Sequence, residues 1–393
     1  MPLPASRLSS FGPAHGGLDP RGRLQVAGDG RDPNYRRSDM KYAALRFLLL
    51  AGVTMLAVAA MPAAFAQSTQ PAPGLLYQNH CSPGIFDSVS DDAKTKYPIV
   101  LVTGATGTAP NFLLPGYRYW YGIPEALCRA GATVYVASLP AVDTDYVRGP
   151  ILVDQIKALM AVLGVDKVNL IAHSQGGITA RYAAATIAPN IASVTTIGTP
   201  HKGMGLADLL LANPASKALA VAGFTAAGLV GDAVNGSDGA VRASALLSEA
   251  SRAGIAQFNA QYPSAGLSTA QCVGANDDTG VRQVVDTRTA PDGTTIQQML
   301  YSWTGDAPIP PFSHDLVGST LMGVLQPMVL AAQDGANDGV IGVCSARFGQ
   351  VLGTYHWNHL TEINQLAGLV PPFEPNPVRV IVNHANRLKN LGM

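Results

Sequence analysis

The sequence predicts an α/β protein with a mostly parallel central sheet flanked by helices. Three observations carry this prediction. The strand-like segments are short and continuously apolar rather than alternating, as strands buried on both faces are. They take turns along the chain with stretches whose apolar residues recur at helical spacing. One of them, Val168-Asn169-Leu170-Ile171-Ala172, runs abruptly into Ser174 before a helix-forming stretch.

In chain order, Tyr97-Pro-Ile-Val-Leu-Val-Thr103 is an apolar strand stopped by Gly104, and Ile123 to Arg129 reads as helix. Ala132 to Ala137, rich in Val and Tyr, is the next strand. Ile151 to Leu163 places apolar residues at helical spacing, and strand Val168 to Ala172, helix Gly177 to Ile187 and strand Ser193 to Ile197 follow. In such sheets chemistry sits at the carboxyl ends of the strands, where Gly104 and Ser174 both fall. The segment from about 206 to 255 is apolar, Ala-rich and nearly uncharged, as in Leu209-Leu-Leu211 and Leu219-Ala-Val-Ala-Gly-Phe224. It reads either as a buried pair of helices or as a mobile cover with an apolar inner face. Gln297 to Trp303 reads as a strand with Val281 to Asp286 as hairpin partner, and Val378 to Leu388 as a closing helix.

The 393 residues are 47% hydrophobic and only 13% charged, which excludes a disordered or nucleic-acid-binding chain. Lys+Arg and Asp+Glu are both 26, so no net field draws the protein to polyanions or acidic membranes. From Met40, two positive charges precede an almost wholly apolar run, Phe47 to Ala60, and Ala64-Phe65-Ala66 supplies a small-x-small cleavage pattern. The competing reading is a membrane anchor, since the run nearly reaches spanning length. Pro62 and the Ala-rich end favour a cleaved signal. The expected organisation is an N-terminal extension or misassigned start over 1–39, a signal peptide over 40–66 and one domain over 67–393. Arg36-Arg37 fits a twin-arginine signal poorly, because Ser-Asp-Met follows. Cys81, Cys128, Cys272 and Cys344 suit an exported chain with two disulfides in any of three pairings, and none has the spacing of a zinc site.

Ala172-His-Ser174-Gln-Gly176 has the A-x-S-x-G form of a nucleophile elbow, a strained strand-to-helix turn that exposes a serine hydroxyl. Its small residues stand where strand and helix backbones nearly touch. A serine nucleophile needs a base, and the base needs an acid to orient it. The chain order in this architecture is serine, acid, histidine. Asp338 lies in the turn Asn337-Asp-Gly339 beside Val340-Ile341, where backbone donors can fix a carboxylate, and His359 lies in His356-Trp-Asn-His-Leu-Thr-Glu, leading into a helix. Ser174, Asp338 and His359 satisfy the order. Asp315 and Asp334 are the other acids considered. His384, inside the last helix, reads as structural, His201 as ordering its loop, and His314 and His356 as packing or surface residues. Two backbone amides must hold the oxyanion. Gln175, after the nucleophile, supplies one, and Ala105, in the loop Thr103-Gly-Ala-Thr-Gly-Thr108, is the candidate for the other.

With these residues in view the chain resembles the secreted true lipases of Burkholderia and Pseudomonas, of the cepacia and glumae type. The resemblance runs from about Tyr97 to the C-terminus. It rests on Tyr119-Trp-Tyr-Gly-Ile123, Gly131-Ala-Thr-Val-Tyr-Val-Ala137, Ser174-Gln-Gly-Gly177, Ser193-Val-Thr-Thr-Ile-Gly-Thr-Pro-His-Lys-Gly203, Leu300-Tyr-Ser-Trp303, Asn337-Asp-Gly339, Trp357-Asn-His-Leu360 and His384-Ala-Asn-Arg-Leu388. It implies an α/β-hydrolase with a helical lid over about Leu206 to Val234 that cleaves triacylglycerol esters at an oil–water interface. It also implies a membrane-bound foldase as folding partner and export through the periplasm. It supports Ser174, Asp338 and His359 as triad, with Ala105 and Gln175 as oxyanion donors. It matches the family's disulfide to Cys272 and Cys344, closing a loop of about 70 residues worth roughly 4 kcal/mol. Cys81 and Cys128 are left for a second bridge.

Three departures stand out. The family's His-Gly is Thr103-Gly104 here, Ala172 replaces the elbow's first glycine, and Thr361 stands where the family has a calcium-binding aspartate. Gln365 matches another calcium ligand, Asp315 the second carboxylate, and Leu369 a backbone carbonyl. With one of two carboxylates gone, calcium binding is expected to be weak or absent. A short-chain esterase or an aliphatic polyester depolymerase would share all the catalytic features. A lipid-binding protein with a dead site finds support only in Thr103 and Thr361.

Overall fold

The apolar runs of the sequence become the inner strands of one sheet. The computed structural model describes residues 77–78, 89–107, 118–235, 242–268, 285–289, 293–310, 316–332, 334–365 and 368–393. The chain divides into units 1–50 and 51–393, of which the first, like the expected signal peptide over 40–66, lies outside the described residues. The sheet has eight strands: β1 (Tyr77–Gln78), β2 (Ile99–Val102), β3 (Val134–Val136), β4 (Val168–His173), β5 (Ile191–Ile197), β6 (Val285–Thr289), β7 (Thr295–Gly305) and β8 (Gln350–Tyr355). Their order is β1-β3-β2-β4-β5-β7. Beyond β7, β6 lies beside Thr295–Met299 and β8 beside Tyr301–Gly305. Only β1 and β6 run antiparallel to their neighbours.

Helices in order are α1 (Ile123–Arg129), α2 (Asp145–Leu163), α3 (Gln175–Thr186), α4 (Gly205–Ala212), α5 (Pro214–Asn235), α6 (Ala243–Ala250), α7 (Arg252–Gln261), α8 (Leu316–Ala331), α9 (Val343–Ala346) and α10 (Pro377–Asn390). Every residue of β2, β3, β4 and β5 is buried, because helices cover both faces. Successive residues of a strand face opposite ways. Val100, Val102, Leu170 and Val194 therefore pack with Leu152 and Ile156 of α2 and Ala180 and Ala183 of α3. Ile99, Leu101, Ile171 and Ile197 pack on the other side with Ile123 and Leu127 of α1 and Ile381 and Ala385 of α10. Each such aliphatic side chain is worth ~1.5–3 kcal/mol in burial, so these strands tolerate neither polar substitution nor a one-residue slip.

The expected strands and helices are present, with revised ends. Helix α2 starts at Asp145, six residues before Ile151. Pro150 sits inside the helix, and the turn before it is held by Thr144 O, which accepts from the Val147 and Arg148 amides at 3.1 and 2.9 Å. That extra turn carries Asp145 and Arg148 into the interior. Of the hairpin partner expected at Val281–Asp286, Val285 and Asp286 open β6, opposite Met299 and Gln298, and 281–284 lie outside the described residues. Helix α8 and strand β8 were not legible in the sequence. The 206–255 segment folds as helices α4 to α6 and the start of α7, and it is not a buried pair. Leu229 is 62% exposed and most described side chains of α5 are exposed or half-buried. Helix α4 and Pro214–Leu229 meet at 119°. No single described helix is long and apolar enough to cross a membrane.

Candidate active site

Strand β4 delivers Ser174 into a conformation that side chains avoid, φ 56° and ψ −134°. The surroundings over-determine this strain. The Ser174 amide donates to Ile197 O on β5 at 2.8 Å, and its carbonyl accepts the Gly177 amide at 3.0 Å. A Cβ on Gly176 would stand 2.4 Å from Val102 O and 2.6 Å from Thr103 O. That is why the elbow keeps glycine there: α3 starts against the end of β2.

His359 Nε2 lies 2.9 Å from Ser174 Oγ, and His359 Nδ1 lies 2.6 Å from Asp338 Oδ2. Asp338 is fully buried in its turn. Its Oδ1 accepts the Val340 and Ile341 amides at 2.8 and 2.7 Å, and its carbonyl accepts the His359 amide at 2.9 Å. The expected backbone donors are therefore in place, and they leave Oδ2 for the imidazole. Such an arrangement can remove a proton from a serine hydroxyl and stabilise the imidazolium that forms. Gln175 N opens α3, where an amide has no intrahelical acceptor. Neither it nor Ala105 N has a backbone acceptor among the described residues. Val221 and Phe224 of α5 pack against the buried cluster of Ala141, Val142, Ala243 and Leu246, as does Ala105, so α5 and the 103–107 loop share one apolar cluster.

The other histidines fall elsewhere. His384 is buried on Thr195 Oγ1 at 2.7 Å, and burial holds its pKa at about 3. His201 is buried, stacked on Phe348 and 3.0 Å from Thr196 Oγ1. His356 is exposed and paired with Asp306 at 2.8 Å, which raises its pKa. His314 and Asp315 lie outside the described residues. Asp334 pairs with Arg252 at 2.6 Å, away from the relay. Cys128 and Cys344 are in disulfides; Cys81 and Cys272 lie outside the described residues.

A model of the alpha/beta hydrolase fold matches residues 97–322. A triacylglycerol lipase of Burkholderia plantarii is 37% identical over 383 residues, covering 89% of this chain and 96% of its own. The chain belongs to the bacterial triacylglycerol lipase family. Triacylglycerol lipases of Pseudarthrobacter phenanthrenivorans (38% identical, 77% of this chain, 99% of its own) and Vibrio cholerae (37%, 76% and 90%) are similar too. The crystal structure of mature Bacillus licheniformis lipase BlEst2 covers 81% of this chain and all of its own at a TM-score of 0.50, with 18% identity. That likeness concerns the fold alone.

Within this family frame, the residues around the relay that sequence reasoning missed are polar and buried. Arg148, fully buried, donates to Gln175 Oε1 at 2.6 Å and to the Thr103 carbonyl, so it links the start of α3 to the loop after β2. Gln175 Nε2 donates onward to Asp143 O at 2.7 Å, and Asp145 accepts from Thr179. Burial raises the Asp145 pKa to about 6, against the pull of Arg148. Glu249 of α6 accepts the Asp145 amide at 2.8 Å; burial and then Asp145 push its pKa to about 8. Thr103 Oγ1, at the position of the family's histidine, is buried with no partner among the described residues. Arg148 reaches the loop through the Thr103 main chain instead. No local signal marked Arg148, because the helix was expected to begin after it. His173 and Glu362 did carry one: they stand one residue before the nucleophile and three after the base.

Proposed function

We propose that this protein is a secreted triacylglycerol lipase working through an acyl-enzyme on Ser174. The observation that carries the reading is the relay itself: 2.9 Å from Ser174 Oγ to His359 Nε2 and 2.6 Å from Nδ1 to Asp338, at the carboxyl end of a parallel sheet. His359 takes the Ser174 proton as Oγ attacks the ester carbonyl. The Ala105 and Gln175 amides hold the oxyanion, worth about 10²–10³ in kcat per donor. The imidazolium, oriented by Asp338, protonates the departing alcohol, and water repeats the sequence on the acyl-enzyme. The relatives' triacylglycerol lipase names and the half-exposed apolar helix α5, which shares an apolar cluster with Ala105, favour long-chain acylglycerols. Helices α4 and α5, within the 206–255 lid, swing away at an oil–water interface, and lipid covers the apolar surface they uncover.

The finer expectations belong to this reading. Cleavage after Ala66 releases residues 67–393 into the periplasm, where a lipase-specific foldase assists folding before secretion. Cys272 pairs with Cys344 and Cys81 with Cys128. Calcium is a poor fit. Thr361 Oγ1 donates to Asn358 Oδ1 at 3.0 Å, Gln365 Nε2 is buried without a described partner, and the Leu369 side chain is exposed. Glu362, the carboxylate beside Thr361, is taken up by His173, Thr304 and Gly305, whereas calcium favours several charged oxygens. Asp315 lies outside the described residues.

The test is hydrolysis of emulsified trioctanoin and triolein beside a Ser174→Ala control. Serine-dependent activity that rises above the substrate's solubility limit is expected. Activity confined to soluble short-chain esters would replace the lipase reading with an esterase. Absence of activity, with no phosphonate labelling of Ser174, would leave only the lipid-binding reading.

A further inference from the structure

Behind the nucleophile runs a buried hydrogen-bonded chain to which the acyl-transfer steps assign no role. The Gly104 amide donates to the Tyr119 hydroxyl at 2.7 Å, and that hydroxyl lies 2.7 Å from His173 Nδ1. The amide can only donate, so the hydroxyl oxygen accepts from it; with the hydroxyl proton on Nδ1, every group along the chain meets a partner of the right kind. His173 then carries its proton on Nε2, 3.1 Å from Glu362 Oε2. The other Glu362 oxygen accepts from Thr304 Oγ1 at 3.1 Å and from the Gly305 amide. Glu362 Oε2 also stands 3.6 Å from His359 Nδ1, and the His173 and His359 rings pack with centroids 4.4 Å apart. Tyr119, His173 and Glu362 are 6%, 1% and 0% exposed, so water offers no substitute partners. Burial and the neighbouring His359 keep His173 far below its ordinary pKa, which preserves Nδ1 as an acceptor.

One end of this chain is the backbone of the residue before Ala105, and toward the other end the His173 ring packs against the ring of the base. We propose that Tyr119 and His173 are positioning residues for acyl transfer, holding the oxyanion loop and His359 in one rigid frame. This rests on the assignment of Ser174, His359 and Ala105 above. An oxyanion donor works only within a few tenths of an ångström of its place, since beyond about 3.5 Å no hydrogen bond remains. A Cβ on Gly104 would meet Ser174 Cβ and Tyr119 Oη at 2.6 Å, so the loop lies directly against both.

The experiment is a steady-state cycle on a soluble ester with Tyr119→Phe, His173→Leu and the double variant, with Ser174→Ala as control. Tyr119→Phe keeps the ring and removes only the bridging oxygen. About tenfold lower kcat is expected with KM within twofold and near-native melting. Affinity for a boronic acid, which becomes an anion on Ser174, should fall in parallel. The double variant should be no slower than His173→Leu, because both substitutions cut one chain. Kcat of Tyr119→Phe within twofold of the parent, a change in KM alone, or multiplying effects would each overturn the proposal. If His173→Leu does not fold, His173→Asn takes its place in the cycle under the same criteria. Activity surviving Ser174→Ala would instead overturn the catalytic assignment beneath it.

Discussion

Replacing Gly104 by alanine tests how closely the oxyanion loop is fitted to the nucleophile. The added Cβ would sit 2.6 Å from Ser174 Cβ, 2.6 Å from the Tyr119 hydroxyl and 3.0 Å from His173 O. Ordinary contact begins at 3.4 Å, so the loop must retreat by about 0.8 Å, the difference of the two distances. None of the three neighbours is the free end of a flexible side chain. A retreat of that size carries a donor at ~2.9 Å out to ~3.7 Å, past the limit of a hydrogen bond. Losing one oxyanion donor costs about 10²–10³ in kcat, or ~2.7–4 kcal/mol of transition-state stabilisation. Ground-state binding does not use that donor, so KM should stay within about twofold. The assay is kcat and KM on a soluble ester, with thermal melting alongside, since overpacking itself costs ~1–3 kcal/mol. A kcat within threefold of the parent at unchanged melting temperature would refute this account of the loop. So would a loss that appears wholly in KM.

Further predictions concern the buried polar groups and the metal. Arg148→Met strips the partners from Gln175 Oε1 and the Thr103 carbonyl and leaves Asp145 facing fewer positive charges. Breaking a buried ionic set costs ~3–5 kcal/mol, so a large fall in melting temperature together with lower kcat is expected, and native melting would contradict it. The Glu249 pKa is raised to about 8 from 4.5. Folding therefore favours its protonated form, and that stabilisation, complete below about pH 4.5, is lost as pH climbs to about 8. Glu249→Gln should accordingly melt less pH-dependently than the parent between pH 5 and 9, at roughly physiological salt; parallel melting curves across that range would show that Glu249 is not the titrating group. Chelation by EDTA should leave the melting temperature unchanged, because Thr361 stands in place of a carboxylate and the neighbouring Glu362 is taken up by His173, Thr304 and Gly305; a large fall would show a structural calcium ion.

Much of the molecule was legible before any coordinates. Strands buried on both faces must be continuously apolar, and helices packed on a sheet must repeat at helical spacing, so β2 to β5 and α1 to α3 announced themselves locally. Ser174 did too, because a strand that turns directly into a helix needs small residues where backbones meet. Asp338 and His359 were found from chain order and from a turn whose amides could only serve a carboxylate. What escaped were elements without a local signature. Strand β8 has only half-buried and exposed side chains, so its pattern resembles a loop, and it is a strand because β7 offers it an edge. Helix α5 was equally readable as buried or as a cover.

The sequence alone settled the α/β class and pointed to the elbow, since each depends on residues near one another in the chain, while the order of nucleophile, acid and base came from the chain order the architecture requires. The tertiary structure alone decided which buried polar groups meet. His359 reaches Ser174 across 185 positions, His173 reaches Glu362 across 189, and Glu249 reaches Asp145 across 104. Local periodicity says which residues leave water, but partners for their polar atoms are chosen by strand order and helix packing. A buried donor or acceptor is satisfied only by what the fold brings within about 3 Å of it.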